Sequence, residues 1–98
     1  MTIYCFDIDQ TICLSIAGEY ESAEPLDERI SKVNQLYEAG HYIIFLTARG
    51  SLLKRDFTDL TKNQLHAWGV KYHELHMGKP YADYYIDDKA VTDLDFFA

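Results

Sequence analysis

Residues 3–11 read Ile3-Tyr4-Cys5-Phe6-Asp7-Ile8-Asp9-Gln10-Thr11, and the fold turns on this stretch. A short apolar run that ends in acid is the signature of a buried strand with chemistry at its tip. Asp7 and Asp9 flank a single residue, so their carboxylates stand close together. Like charges so placed are costly unless a cation is shared or one acid keeps its proton. A hard divalent ion with oxygen ligands answers that cost, and magnesium is the usual one in phosphate chemistry. An ordinary acidic turn can be spelled the same way, so the rest of the chain has to decide.

Outward from this strand, residues 10–25 show no helical period and are rich in Ser, Gly and Glu, which predicts a loop or small hairpin. Leu26, Ile30, Val33 and Leu36 then recur at helical spacing, between Pro25 as a start and Gly40 as a stop. His41 to Thr47 (HYIIFLT) reads as a second buried strand. Phe57, Leu60, Leu65 and Trp68 share one face of a second helix, which Gly69 ends. Val70 to Leu75 is a weaker third strand, and Asp83 to Asp87 (DYYID) a fourth. The tail from Lys89 to Ala98 reads as a short helix or turn, with Phe96 and Phe97 free to pack on the core or on another subunit.

Strand, helix, strand, helix, strand, loop, strand is the grammar of an α/β domain with a mainly parallel sheet and right-handed crossovers. Ligands bind such sheets beyond the carboxyl ends of the strands. The first strand ends in Asp7 and Asp9, the second in Thr47 and Arg49, the fourth in Asp87 and Asp88. Polar residues gathered at one end of several strands are what an active site requires, whereas a purely structural pattern scatters them.

Composition bounds the function. The chain has 98 residues and 48% hydrophobic content, enough for one domain over residues 1–98 and too little for a second. Its formal net charge of −7 argues against broad nucleic-acid binding, which needs a basic surface to displace counterions. Carboxylates gathered around a cation reconcile that charge with a phosphorylated substrate. Cys5 lies in an apolar run and reads as buried. There is no secretory pattern and no run of ~20 apolar residues, so a reduced, cytoplasmic protein without a membrane partner is expected. His66, His73 and His76 have no zinc-motif spacing. Trp68 and Phe57 read as core, and Tyr20 as an exposed loop residue.

Four elements in order, Asp7-x-Asp9-x-Thr11, Thr47-Ala48-Arg49, Gly78-Lys79-Pro80 and Asp87-Asp88, together resemble the four motifs of the haloacid dehalogenase superfamily, over nearly the whole chain. The resemblance implies a minimal, capless, Rossmann-like three-layer sandwich with a mainly parallel sheet in strand order 3-2-1-4 and a flap at 10–25. It implies that Asp7 is the nucleophile that forms an aspartyl-phosphate. Asp9 would be the general acid and base, its backbone carbonyl also binding magnesium. Thr47 would hold a phosphoryl oxygen, Lys79 would pair with the phosphoryl group and the nucleophile, and Asp88 would ligate magnesium with Asp87 behind it. Ala48 and Arg49 follow Thr47 into the mouth, where Arg49 could bind a substrate anion. Many members have Gly where Gln10 stands, and Gln resists the backbone angles that Gly tolerates, so Gln10 could instead face substrate.

Thr-Ala-Arg-Gly, Trp68-Gly69-Val70, Tyr72-His73-Glu74-Leu75 and Tyr85-Ile86-Asp87-Asp88 are similar to small members of capsule and surface-polysaccharide synthesis. That implies a magnesium-dependent phosphomonoesterase acting on a sugar phosphate, and, without a cap, a homo-oligomer or a large substrate. Two rival readings remain. One is a nucleic-acid 3′-phosphatase, against which the acidic balance counts. The other is a non-catalytic binding or regulatory module, which predicts loss of one of Asp7, Asp9, Lys79 or Asp88, and all are present.

Overall fold

The computed structural model describes residues 1–52 and 54–98. Its elements, in chain order, are β1 (Ile3–Phe6), β2 (Cys13–Leu14), a 3₁₀ turn (Tyr20–Ser22), β3 (Glu24–Pro25), α1 (Asp27–Glu38), β4 (Tyr42–Thr47), α2 (Thr58–Ala67), β5 (Glu74–Met77) and α3 (Asp93–Phe96). The radius of gyration is 13.0 Å, close to the ~13 Å of a compact chain this long.

Three strands form a parallel sheet in the order β1-β4-β5. The register pairs Tyr4 with Ile43 and Phe6 with Phe45, so these side chains share one face. That face is the core. Ile30 and Val33 of α1 and Leu65 of α2 bury against Phe6, Ile43 and Phe45. Both crossovers step in the same direction across the sheet, and right-handed crossovers in one direction place their helices on one face. The short α3 joins them there. Phe96 stacks edge-on against Phe6 and Tyr4 with centroids 5.4 and 5.8 Å apart, and Arg29 binds Asp93 at 2.7 Å. The terminal phenylalanines therefore pack on this chain's own core.

Among the described residues, the expected third layer is not formed. All the helices lie on one face, and Ile3 and Cys5 on the other face of β1 are exposed. Cys5 is thus not the buried residue its apolar run suggested.

The fourth strand is not formed either. Asp83–Asp87 makes no ladder, and residues 80–92 are exposed throughout. The loop is tied to itself: the Tyr85 hydroxyl donates to Pro80 O and accepts from Ala82 N at 3.2 Å, and Lys79 sits 4.3 Å from the Tyr85 ring centroid. Among the described residues, the segment forms no ladder with β1.

The third strand begins later than its apolar residues suggest. Gly69, at φ +71°, closes α2 in the left-handed conformation, and Val70 N donates to Leu65 O across it. Val70 is spent on that closure, and the strand starts at Glu74. The stretch 10–25 does form a hairpin, β2 pairing antiparallel with β3.

Candidate active site

Asp7 follows the carboxyl end of β1, Thr47 ends β4, and Gly78-Lys79 follow β5. Parallel pairing alone brings these residues to one edge of the sheet. Lys79 is drawn in by its backbone N–H, which donates to Thr47 O at 3.0 Å. Its ammonium then lies 3.6 Å from Asp7 Oδ1, while Thr11 Oγ1 donates to Asp7 Oδ2 at 3.2 Å. Burial pushes the Asp7 carboxyl above the usual range, the Lys79 charge, an Ile8 backbone bond and the Thr11 bond pull it back, and Asp9 adds to the rise. Asp7 remains about a third open to solvent.

Asp9 is held quite differently. Arg49 grips it with two parallel bonds, Nε to Oδ2 at 2.9 Å and Nη2 to Oδ1 at 2.8 Å. Ser15 Oγ donates to Oδ1 at 2.7 Å. The Cys13 thiol, its pKa pushed up to about 12 chiefly by burial and then by the Asp9 charge, stays protonated and lies 3.5 Å from the same oxygen. A fork of this kind fixes a carboxylate's plane as well as its position.

Arg49 is itself 3% exposed. Its Nη1 donates to Thr61 Oγ1 at 3.1 Å and Gln64 Oε1 at 2.6 Å, and its Nη2 reaches the Cys13 sulfur at 3.9 Å. Burial works against its charge, and the Asp9 bonds more than offset that, leaving its pKa raised. The guanidinium packs 4.7 Å from the Tyr20 ring centroid, and Gln64 Nε2 donates to Tyr20 O at 2.6 Å. Every nitrogen of Arg49 is engaged inside the protein, so the expectation that it binds a substrate anion is not met. It is a positioning residue for Asp9. Ala48 is half-buried beside it, and Thr47 is fully buried, its Oγ1 accepting from Arg49 N at 3.1 Å.

Gln10 adopts the left-handed conformation at φ 62°, the one where Gly is usual. Its side chain fastens the turn instead: Nε2 donates to Ser15 O at 2.9 Å and Oε1 accepts from Ser15 N at 3.0 Å. Its amide is thereby occupied within the turn. Gln10→Ala keeps the left-handed strain and loses both bonds, so it is expected to cost about 1–3 kcal/mol. Gln10→Gly relieves the strain as it loses them and is expected to be near neutral. Urea unfolding of the two variants checks the contrast.

Gly50 closes the Thr47–Arg49 loop at φ +83°, and a Cβ there would meet Arg55 O at 2.2 Å. Beside it lies an open groove of about 190 Å³ lined by Arg49, Gly50, Ser51, Arg55, Phe57 and Met77. A larger hollow of about 460 Å³, between α1 and Trp68, stands away from these carboxylates and gathers no such chemistry.

The expected magnesium ligands are not brought together. Among the described residues, no three His, Cys, Asp or Glu side chains converge. The Asp9 side chain is committed to Arg49, Ser15 and Cys13, which leaves open the backbone carbonyl expected to face the ion, and Asp87 and Asp88 stand on the exposed 80–92 loop. Of the two acids after β1, Asp7 is the more open, its carboxylate about a third exposed. Among the described residues, side chains alone therefore do not assemble a three-carboxylate site.

Several supporting residues escaped the sequence reading. Thr61 sits between Phe57 and Leu65 at i+4 spacing and is fully buried. A polar residue in the middle of an apolar helix face was the available signal, and Gln64 lies one turn on. Tyr20, expected as an exposed loop residue, is half-buried, with its ring edge-on to Phe57 at 4.9 Å.

No protein-family model matches this chain, and no curated protein matches it either. Among solved structures, a crystal structure of a structural-genomics target from Vibrio cholerae is similar at a TM-score of 0.86 and 24% identity, covering 100% of this chain and 89% of that one. A chain in the structure of a Pnkp1/Rnl/Hen1 complex is similar at a TM-score of 0.63 and 18% identity, covering 89% of this chain and 30% of that one. Likeness at these identities speaks to the fold. A small α/β architecture with a mainly parallel sheet is thus shared with solved structures. Among the described residues, no helix is long and apolar enough to cross a membrane.

Proposed function

We propose that this chain is a phosphomonoester hydrolase of the haloacid dehalogenase type, acting through a phosphoryl-Asp7 intermediate. The observation that carries the reading is the pairing at one sheet edge. A part-open carboxylate, Asp7, stands beside an ammonium, Lys79, and a second carboxylate two residues on, Asp9, is locked in orientation by a buried guanidinium.

Phosphoryl transfer needs positioning and charge neutralisation more than elaborate covalent chemistry. An Asp7 oxygen attacks phosphorus, and the bond to the leaving oxygen breaks. Lys79 offsets charge on the transferred group. Asp9 gives the leaving oxygen its proton, then takes one from the water that attacks the aspartyl-phosphate, releasing inorganic phosphate and restoring Asp7. Arg49 holds the Asp9 carboxylate at one angle through both steps. Magnesium belongs to the reading as the ion that the Asp7-x-Asp9 spacing calls for, and Asp88 as its further ligand. The fourth strand, on the free side of β1 in the order β5-β4-β1, belongs to it too.

A sugar phosphate is the favoured substrate. Among the described residues, no element beyond the β2–β3 hairpin forms a cap, and the groove beside Arg49 is open. The nucleic-acid 3′-phosphatase reading draws on the fold shared with the Pnkp1/Rnl/Hen1 chain alone, and the net charge of −7 works against it. Phosphate release from a panel of sugar phosphates and from a 3′-phosphorylated oligonucleotide, with and without magnesium, separates the two. Release from the oligonucleotide only would overturn the sugar-phosphate assignment.

A further inference from the structure

We propose that Tyr20 and Gln64 are positioning residues for Asp9, acting on it through Arg49 without touching it, so that the 3₁₀ turn of the 10–25 segment and the carboxylate at its base are fixed as one unit. The inference rests on the phosphatase reading only for what the orientation of Asp9 is used for.

Among the described residues, Ser15 and Cys13 both meet Asp9 Oδ1, so Oδ2 depends on Arg49 Nε. A fork between a guanidinium and a carboxylate fixes two atoms of each partner. It leaves the guanidinium plane free to tilt about the line of those bonds. What stops the tilt lies on the far side of Arg49. Its Nη1 is pinned by Thr61 Oγ1 at 3.1 Å and by Gln64 Oε1 at 2.6 Å. Its face is covered, with Cζ 4.7 Å over the centroid of the Tyr20 ring. Weakly hydrated guanidinium faces stack favourably on aromatic rings.

Tyr20 is held in turn. Its ring meets Phe57 edge-on at 4.9 Å, and Phe57 is 1% exposed. Gln64 Nε2 donates to Tyr20 O at 2.6 Å. Gln64 therefore gives its acceptor to Arg49 and its donor to Tyr20, a combination that an amide offers and an ionised carboxylate does not. The pair of Glu21 with Arg55, at 3.3 Å, is exposed on both sides and adds little to this seat. The stretch 10–25 leaves the sheet just after Asp9 and returns to α1. Asp9 at its base, Cys13 in β2 and Tyr20 in its 3₁₀ turn all meet one guanidinium. What Tyr20 contributes is its ring and its backbone oxygen.

Hydrogen exchange at the Arg49 Nε–H, followed by proton–nitrogen NMR on the ligand-free protein, tests the coupling without reference to catalysis. Tyr20→Leu removes the covering face and is expected to speed that exchange at least ~tenfold, as local opening does. Gln64→Met keeps similar volume, loses both bonds, and is expected to do the same; it serves as well if Tyr20→Leu fails to fold. With p-nitrophenyl phosphate and magnesium, both variants are expected to lower kcat about tenfold at unchanged KM, a part of the ~10²–10⁴-fold that general acid–base catalysis contributes. Tyr20→Phe restores the ring and is expected to recover both readouts. Wild-type exchange at Arg49 in Tyr20→Leu and Gln64→Met would overturn the coupling. So would a Tyr20→Phe protein as slow in turnover as Tyr20→Leu, because the hydroxyl would then act on substrate directly. Faster Arg49 exchange in variants of a protein that releases no phosphate would sustain the coupling and remove the phosphatase reading.

Discussion

Arg49→Met is expected to destabilise the protein by about 3 kcal/mol, toward the lower end of the ~3–5 kcal/mol that breaking a buried ion pair costs. The reasoning is local. Methionine fills much of the volume but leaves Asp9 without its two charge-assisted bonds and leaves Thr61 and Gln64 facing an apolar chain. Asp9 is partly open to water, so solvent recovers some of the loss. A change of this size lowers the melting temperature of a domain this small by about 10–20 °C. Arg49→Lys restores the charge without the fork. It is therefore expected to recover part of the stability and little of the turnover, since general acid–base catalysis worth about 10²–10⁴-fold depends on where the Asp9 proton points. Thermal melts and kcat measured on both variants separate these contributions. A lysine variant with full activity would show that the orientation of Asp9 does not matter.

Asp7→Asn is expected to lower kcat by about 10⁴-fold or more, the scale seen when a nucleophile is removed from a working constellation. The same substitution is expected to raise the melting temperature at neutral pH. The sign follows from the Asp7 carboxyl, whose pKa is raised by burial in the folded protein, with the Lys79, Ile8 and Thr11 interactions lowering it only in part. A raised pKa favours folding below the unfolded value, and that contribution is lost as pH rises through the folded value. At pH 7 the ionised carboxylate is a liability, and a neutral amide removes it. The gain is expected to vanish on acidification below the ordinary carboxylate range, where Asp7 is protonated in both states. Melting curves of the two proteins across pH check this. An inactive but destabilised variant at pH 7 would mean that the Lys79 pairing outweighs burial.

The sequence carried the periodic parts of the structure well. Ile30, Val33, Phe57 and Leu65 lie inside because helical spacing marks them, and Pro25 and Gly40 frame α1 as start and stop signals should. The meeting of Asp7 with Lys79 follows from the shared sheet edge and the bond of Lys79 N to Thr47 O. What pattern could not reveal was which surfaces find a partner. The alternation in Asp83–Asp87 has the form of a strand, but a strand also needs an edge, and this one forms no ladder while its Tyr85 hydroxyl bonds back to Pro80 O. The apolar run at Cys5 could not say that both crossovers put their helices on the opposite face. Arg49 shows the same limit at the site: its sequence position places a charge at the mouth, and only the fold reveals that its donors point inward to Asp9, Thr61 and Gln64.

The central claim is that Asp7 carries the phosphoryl group. Phosphate release by the full chain with magnesium, over a panel of sugar phosphates with Asp7→Asn alongside, tests it most directly. The account predicts release from at least one sugar phosphate and none above background from Asp7→Asn. Equal release by the two proteins, or none by the wild type from any phosphomonoester offered, would contradict it.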